Sequence, residues 1–254
     1  MTAYGAGARE VRAVDGRVPG ARGLSTRARL LGSTLALLGD QSYRDLAVID
    51  IARAAGSSPA TFYQYFPDVE SAVLVLADAM ADQHGRLAAI VRGADWRGAR
   101  AYPAAEALAA EFLAFWINHQ PILRVVDLAS GEGDPRFRAL RTRLLNDVTN
   151  ALAEAVDSMR GQPGGQRPGQ ARGQRPGQPG GQRGGQRPGQ SGGQRGGQRD
   201  ADPMAVAAVL VSMLSHVAAH QHGMAAWGIP VDDLRAVMAR IVYQTVTRQE
   251  PPAP

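Results

Sequence analysis

Cysteine and lysine are both absent from this sequence of 254 residues, so arginine carries all of the basic charge apart from histidine. Without cysteine the chain can form no disulfide, thiolate metal site or cysteine nucleophile, which agrees with a reducing cytosol. The sequence also lacks a run of about 18 apolar residues and an apolar stretch near its N-terminus, so we expect neither a membrane span nor a signal peptide. These absences predict a cytoplasmic protein.

The sequence patterns typical of enzymes are missing as well. The chain has no glycine-rich phosphate loop, no nucleophile elbow and no carboxylate pair placed to share a cleft, so we expect neither catalysis nor a cofactor. His216 and His220, with His222 close by, have the spacing that two metal ligands on a helix need, but no carboxylate follows to complete a set. We predict that these histidines lie at a helix–helix or subunit contact and bind no metal.

The formal net charge of +5 is unevenly distributed along the chain. Residues 1–67 contain 8 arginines and 5 acidic residues, whereas residues 161–199 contain 7 arginines and no acidic residue. The remaining residues contain 13 arginines and 18 acidic residues, so the main body is mildly acidic. Only the N-terminal segment and residues 161–199 therefore have an electrostatic reason to lie near phosphate.

Apolar residues recur at helical spacing from residue 25 onward and predict four helices in the first part of the chain. Ser25 is the expected N-cap of the first helix, Ser57 or Ser58 caps the third, and Asp68 caps the fourth. Residues 1–23, rich in glycine, alanine and arginine, are predicted to form a flexible basic arm before a domain at residues 24–67. The four predicted helices cover about residues 25–39, 46–55, 58–66 and 68–92.

The rest of the chain has the same helical character, interrupted by one segment of low complexity. Residues 161–200 consist almost entirely of glycine, glutamine, arginine and proline, which bury too little surface to offset ordering, so a disordered linker is predicted. No stretch alternates as a strand would, which predicts an all-α protein. Its second, larger domain would comprise residues 68–160 and 201–248, followed by a tail at 249–254. The further predicted helices cover about residues 103–119, 121–129, 134–159, 203–227 and 231–247.

Residues 46–67 carry the most informative pattern of the sequence. One apolar stripe runs along the second helix, Gly56 supplies a tight turn, and Phe62 and Phe66 return an apolar stripe from the third helix. Two short helices folded across such a turn form a helix-turn-helix, whose second helix enters the major groove of DNA. The outward residues of that helix have short or planar hydrogen-bonding groups suited to DNA; they are Ser57, Ser58, Thr61, Tyr63, Gln64 and Tyr65.

The segment from Asp50 to Pro67, DIARAAGSSPATFYQYFP, resembles the signature of TetR-family repressors. The helix order is also similar, with one helix before the motif, a long connecting helix after it, and a larger helical domain that ends in two apolar helices. The resemblance implies an N-terminal three-helix DNA-binding domain and a C-terminal ligand-binding and dimerisation domain. It places Ser58, Thr61, Tyr63 and Gln64 near bases and Ser57 and Tyr65 near the DNA backbone.

One position departs from the family pattern. Many members have a lysine just after the Phe-Pro pair that contacts phosphate, whereas this chain has Val69 there, between two acidic residues. A phosphate contact is therefore not expected at this point. We expect Arg27, Arg44 or the arm at residues 1–23 to contact phosphate instead.

The resemblance also implies an effector pocket and a homodimer. We predict that the pocket is apolar and that Asn118 is the polar group that orients the effector, although the aromatic residues could equally be plain core. The last two helices are apolar over much of their surface, which favours pairing with a second copy across a two-fold axis. The predicted pocket residues are Phe112, Phe115, Trp116, Asn118 and Met213.

These patterns predict a ligand-responsive repressor. Its dimer would bind a palindromic DNA operator and would be released when a small apolar effector tilts the helix at 68–92. Two alternatives remain open from the residues. One is a helical protein-interaction module with a vestigial DNA-binding head, and the other is an RNA or nonspecific DNA binder that acts through residues 161–199.

Overall fold

A computed structural model describes residues 13–81, 85–161 and 201–251, and every regular element in these ranges is helical. The prediction of an all-α fold is thereby confirmed. The N-terminal unit has three helices and a short 3₁₀ turn at Tyr43–Asp45. These helices are α1 (Ala21–Asp40), α2 (Val48–Ala54) and α3 (Pro59–Tyr65). The following helices are α4 (Val69–Ala81), α5 (Gly85–Arg92), α6 (Ala101–Glu132), α7 (Pro135–Arg160), α8 (Pro203–Met224) and α9 (Val231–Thr247).

The start of the chain is more ordered than predicted. Helix α1 begins at Ala21 with Gly20 as its N-cap, so Ser25 lies inside the helix and caps nothing. The backbone N–H of Val14 donates to the carbonyl of Gln64 at the end of α3, which ties the segment before α1 to the helix-turn-helix. The predicted end of the arm at residue 23 is therefore wrong, because residues 21–23 belong to α1, while residues 1–12 lie outside the described residues.

The connection into the second domain agrees with the predicted start at Asp68. The carboxylate of Asp68 accepts a hydrogen bond from the backbone N–H of Ser71 at 2.6 Å, as a helix cap does. Helices α4 and α5 together span most of the predicted helix at 68–92. Its continuity across residues 82–84 falls outside the described residues.

Helix α6 is one continuous helix, so the prediction of two helices separated near Pro121 is wrong. A proline inside a helix removes the hydrogen bond to the carbonyl four residues earlier, here that of Ile117. Ile117 is 50% exposed, so water can satisfy this carbonyl. Buried residues before and after the proline, such as Trp116 and Ile122, also hold the two halves against the same core.

A left-handed glycine separates α6 from α7. Gly133 has φ of 102°, a conformation that glycine adopts without strain, and it ends α6. Asp134 then accepts from the backbone N–H of Arg136 at 2.8 Å, and Pro135 occupies the first turn of α7. The predicted start of this helix is confirmed.

One continuous apolar core runs through both units. In the C-terminal unit, α6 packs against α9, α8 and α7, and α7 also packs against α8. The predicted linker at 161–200 lies outside the described residues apart from Gly161. The ends of the chain on either side of it are adjacent, because the guanidinium of Arg160 donates to the carbonyl of Ala201.

The stretch Pro203–Trp227 is more apolar than the sequence analysis allowed. Its mean hydropathy of 1.5 over an 18-residue window makes it long and apolar enough to cross a membrane by length and composition alone. One third of that window, 33%, is buried in the structure, and core helices of water-soluble proteins have the same composition. Polar residues such as Ser212, Ser215 and His216 interrupt the stretch, so it is not an unbroken apolar run, and one such helix is weak support for a membrane span.

Candidate functional site

The helix-turn-helix is built around two phenylalanines, one on α3 and one directly after it. Phe62 and Phe66 are 0% and 2% exposed, and their ring centroids lie 5.4 Å apart. Ile51 of α2 is buried against the same core. Gly56 has φ of 60°, so the turn between the helices uses a left-handed conformation that favours glycine. The predicted core residues of the motif and its glycine turn are confirmed.

The opposite face of α3 is polar and open to solvent. Tyr63 is 52% exposed, and Ser58 and Gln64 are exposed as well. Ser58 is the N-cap of α3: its hydroxyl accepts from the backbone N–H of Thr61 at 3.2 Å and lies 3.0 Å from the Thr61 hydroxyl. Tyr63 and Gln64 are therefore the two exposed side chains of this set that make no hydrogen bond within the described residues.

Two predicted backbone contacts, Ser57 and Tyr65, are half-buried. The Tyr65 hydroxyl lies near Gly23 of α1, where an added Cβ would come within 3.2 Å of it. The ring of Tyr65 also lies 6.5 Å from that of Phe66. Tyr65 thus lies at the edge of α3 nearest the start of α1, and the DNA roles of both residues stay predictions.

The segment before α1 forms a groove with the recognition helix. The backbone hydrogen bond from Val14 to Gln64 measures 2.9 Å. The groove of about 580 Å³ beside it is lined by residues 13–15, 17–20 and 23 and by Ala60, Tyr63, Gln64 and Tyr65. The Arg17 side chain is 82% exposed, and its Nε donates to a carboxylate oxygen of Asp15 at 2.7 Å. The backbone and guanidinium of Arg17 hold the pKa of Asp15 below its usual range.

Arg17 is a basic residue beside α3 that the sequence analysis did not single out. The only signal for it is the short Asp15-Gly16-Arg17 sequence, in which Gly16 has φ of 84°. A turn of this kind could have been predicted, but not its hydrogen bond to α3.

The two arginines predicted to contact phosphate have other partners. The Arg27 guanidinium lies 5.2 Å from the centroid of the Phe66 ring, and burial lowers its pKa. Arg44 forms an ion pair with Glu132 at the end of α6. Arg44 therefore lies at the junction with the second domain, so this contact competes with its predicted role, which remains untested.

Comparison with known proteins identifies the family. Residues 30–71 match the model described as "Bacterial regulatory proteins, tetR family". Residues 87–171 and 189–253 match the model described as "Tetracyclin repressor-like, C-terminal domain", which by itself covers more than half of the chain. The chain belongs to the TetR family. It is therefore a DNA-binding transcriptional regulator with a helix-turn-helix and not an enzyme.

Individual TetR relatives share either a short segment or the fold. Over 54 residues the chain is 41% identical to the HTH-type transcriptional regulator EthR of Mycobacterium tuberculosis. The aligned segment is 21% of this chain and 25% of EthR. The chain thus matches about a quarter of the length of this curated relative.

Among solved structures, a tetR-family regulator from Streptomyces coelicolor is 17% identical with a TM-score of 0.55, covering 90% of this chain and 83% of that one. The fatty acid degradation regulator FadR of Bacillus halodurans is 13% identical with a TM-score of 0.52, covering 91% and 97%. FadR of Bacillus subtilis, crystallised with stearoyl-CoA, is 12% identical with a TM-score of 0.53, covering 86% and 98%. At these identities the likeness shows the fold of the TetR family.

In the TetR C-terminal domain, the aromatic residues predicted to line a pocket are packed together. Phe112, Phe115 and Trp116 are at most 7% exposed, and the rings of Phe112 and Trp116 stack at 5.9 Å. Asn118 is exposed because it follows Trp116 by two residues, about 200° around the helix. Met213 lies elsewhere, in an apolar groove of about 350 Å³ between α8 and α9. Asn118 is thus on the opposite face of α6 from Trp116 and Met213 lines a different groove, and the pocket roles of the five residues stay predictions.

Two buried polar atoms beside this cluster have no hydrogen-bond partner within the described residues: Trp116 Nε1 and His119 Nδ1. The His119 ring lies 4.6 Å from that of Phe115, and burial holds the pKa of His119 below its usual range, so the imidazole is neutral at pH 7. The sequence analysis missed His119. Its spacing of four residues from Phe115 and three from Trp116 is the signal that could have found it.

The histidines singled out on α8 stack against each other. The ring centroids of His216 and His220 are 4.2 Å apart, and His220 Nδ1 lies 2.9 Å from the carbonyl oxygen of His216. Both side chains are exposed. In the described parts of the chain, no three His, Cys, Asp or Glu side chains group closely enough to hold a metal ion.

Proposed function

We propose that this TetR-family regulator is a homodimeric repressor that binds a palindromic operator through α3 and releases it when an apolar effector binds near Trp116. The observation that carries the proposal is the exposed polar face of α3, where the side chains of Tyr63 and Gln64 make no hydrogen bond within the described residues and Phe62 packs into the core on the opposite face. Side chains of this kind read base edges in the major groove. We propose a cytoplasmic location, where the chain meets its operator.

The apolar surface of α8 and α9 supports the homodimer. Val209 and Val237 are 70% and 55% exposed, and an almost wholly apolar groove lies between the two helices. Large exposed apolar patches are uncommon on monomers, and a two-fold contact through two helices from each copy would cover this one. Such a dimer would present two copies of α3 to a palindrome.

The orphaned polar atoms at Trp116 and His119 support the chemistry of the effector. A buried N–H without an acceptor is costly, so a ligand that brings one acceptor into the aromatic cluster gains a hydrogen bond in addition to apolar contact. The stearoyl-CoA of Bacillus subtilis FadR has these features, namely a long apolar chain and a thioester carbonyl. We propose acyl thioesters or related acyl compounds as the effector class.

The junction between the two units provides a route for release. Arg44 pairs with Glu132, and Arg136 at the start of α7 lies 3.8 Å from Asp68 at the start of α4. The first contact joins the N-terminal unit to α6, and the second holds the start of α4, which follows that unit, against α7. An effector that displaces α6 would change these contacts, and it shifts the equilibrium only by its difference in affinity for the two arrangements.

Selection of binding sites from random duplex DNA tests the proposal. The full chain should enrich a palindrome and bind it with nanomolar affinity at low salt, and long-chain acyl-CoA should release it. Trp116→Phe keeps an aromatic ring, although a smaller one, and removes the N–H, so this variant should bind the palindrome normally and need more acyl-CoA for release. Failure to enrich any palindrome would contradict the repressor function, whereas enrichment without release would contradict only the effector class.

Deletion of residues 162–200 separates this proposal from nucleic-acid binding by the arginine-rich segment. We expect the deletion to preserve the selected palindrome. Loss of all binding would favour the RNA or nonspecific DNA alternative, and a chain that never binds nucleic acid would favour the interaction module.

A further inference from the structure

The segment before α1, residues 13–20, begins with a tight turn that its own backbone closes. The N–H of Ala13 donates to the carbonyl of Arg17 at 2.9 Å, and the N–H of Gly16 donates to the carbonyl of Ala13 at 2.9 Å. Gly16 has φ of 84°, a left-handed conformation that glycine adopts without strain. Arg17 is therefore carried by a hydrogen-bonded turn.

Two contacts attach this segment to the helix-turn-helix. The backbone N–H of Val14 donates to the carbonyl of Gln64 at 2.9 Å. The segment also approaches the start of α1 closely, because a Cβ added to Gly23 would lie 2.9 Å from the Cβ of Pro19 and 3.2 Å from the Tyr65 hydroxyl. Glycine at residue 23 permits this approach. The position of the turn is thereby fixed relative to α3.

The outer side of the segment adjoins the exposed face of α3. Arg17, Val14 and Val18 are exposed and line one groove with Tyr63 of α3, which is exposed as well. Arg17 is the one arginine among the described residues that line this groove. A surface that combines an arginine with exposed apolar side chains suits the DNA backbone, which presents negative phosphates and less polar sugars.

The guanidinium of Arg17 has donors to spare. Its Nε donates to the Asp15 carboxylate at 2.7 Å, and its two terminal amino groups make no hydrogen bond within the described residues. These two groups form the outer edge of the guanidinium and can donate in parallel to two oxygens of one phosphate. Asp15 therefore orients the side chain and leaves that edge for a second anion.

Other positions expected to contact phosphate are less available. Arg27 lies against the ring of a phenylalanine, and Arg44 is paired with a glutamate at the end of α6. Val69 occupies the position at which many TetR members have a lysine. A basic group attached to the C-terminal end of α3 would replace the contact that this valine cannot make.

We propose that residues 13–20 form a second DNA-contacting element, in which Arg17 binds a backbone phosphate beside the bases read by α3. The proposal rests on operator binding through α3 and names a further residue of that contact. Val14 and Val18 pack against the neighbouring sugars, and Asp15 is a positioning residue. A phosphate contact carries no sequence information, but it fixes how α3 is placed in the major groove.

Fluorescence anisotropy of the full chain on its selected operator, measured across a salt series, tests the phosphate contact. Arg17→Ala should lower the affinity about tenfold at low salt, because a charge-assisted hydrogen bond is lost. The slope of log affinity against log salt should become less negative by about 0.9 for each phosphate contact that is lost. Arg17→Lys keeps the charge and should keep most of the slope.

Two matched variants separate a DNA contact from a structural role. Arg86→Ala removes an arginine that is 79% exposed and paired with Glu111 in the C-terminal unit, so affinity and slope should stay unchanged. Asp15→Asn breaks the same ion pair as Arg17→Ala but leaves the arginine, so affinity should stay the same or rise as a negative charge is removed from the DNA surface. Equal losses in Asp15→Asn and Arg17→Ala, or an unchanged slope in Arg17→Ala, would overturn the proposal.

The absence of cysteine allows a direct test of proximity. Arg17→Cys provides a single thiol for an iron chelate that cleaves nearby DNA, and we expect cleavage at each half-site of the operator. The same chelate on Arg86→Cys should leave the operator intact, and equal cleavage patterns from the two positions would contradict the proposal. If the chain selects no palindrome, the repressor function fails, whereas the slopes on a nonspecific duplex at low salt still test Arg17, since a phosphate contact does not depend on sequence.

Discussion

Arg44 and Glu132 form an ion pair between the 3₁₀ turn that precedes the helix-turn-helix and the last residue of α6. The two side chains are 67% and 54% exposed, so the pair adds little to stability, about 0–1 kcal/mol. Its importance lies in its position, because within the described residues it is one of the few polar contacts between the DNA-reading unit and the effector domain.

The first prediction separates this role from the phosphate contact expected of Arg44. If Arg44 acts through Glu132, then Arg44→Ala and Glu132→Gln should change operator affinity alike and leave its dependence on salt unaltered. If Arg44 contacts a phosphate, Arg44→Ala alone should make the slope of log affinity against log salt less negative by about 0.9. Fluorescence anisotropy across a salt series measures this slope.

The second prediction concerns the face of α3. Gln64→Ala keeps the carbonyl that Val14 binds and removes an exposed side chain, so it should reduce affinity for the operator by about 1–3 kcal/mol without changing the thermal midpoint. Phe62→Ala is the contrasting variant, because loss of a fully buried ring should cost about 3–5 kcal/mol in the free energy of unfolding. Equal destabilisation by both changes would mean that Gln64 supports the fold.

The third prediction concerns the dimer. Val209→Arg places a charge in the middle of the exposed apolar surface of α8, so this variant should sediment as a monomer and lose most of its operator affinity. Ile117→Arg introduces the same charge at a half-exposed position on α6, and this variant should remain a dimer. A dimeric Val209→Arg protein would place the subunit contact elsewhere. Analytical ultracentrifugation decides between these outcomes.

The fourth prediction follows from the lowered pKa of His119. Its folded-state pKa is below the unfolded value of about 6.5, so protonation favours the unfolded chain. The stability associated with neutral His119 is therefore complete above about pH 6.5 and is lost as the pH falls below that value. Denaturation between pH 7 and 5 should show a shallower decline for His119→Gln than for the parent protein, whereas His222→Gln, at an exposed position, should decline like the parent.

The sequence predicted the helix-turn-helix well because its signals are local. The glycine turn at Gly56, the cap at Ser58 and the apolar spacing of Phe62 and Phe66 all act within a few residues, and each is found as expected. Local reasoning was wrong at Pro121, where packing on both sides of the proline outweighs the loss of one hydrogen bond.

Contacts between distant segments could not be predicted from spacing. The hydrogen bond from Val14 to Gln64 and the ion pair between Arg44 and Glu132 join residues far apart in the chain. For the candidate effector residues, helical spacing grouped the three aromatic residues of α6, and the same spacing would have placed Asn118, about 200° from Trp116, on the opposite face of the helix.

The contact between Arg160 and Ala201 has a consequence for protein engineering. The end of α7 and the start of α8 are adjacent, so the fold already holds together the two points between which a connection runs. Doubling the length of such a loop costs only about 0.6 kcal/mol of closure entropy. This junction is therefore a natural insertion point, at which a fluorescent domain could replace residues 162–200 and report on the regulator without separating the two helices.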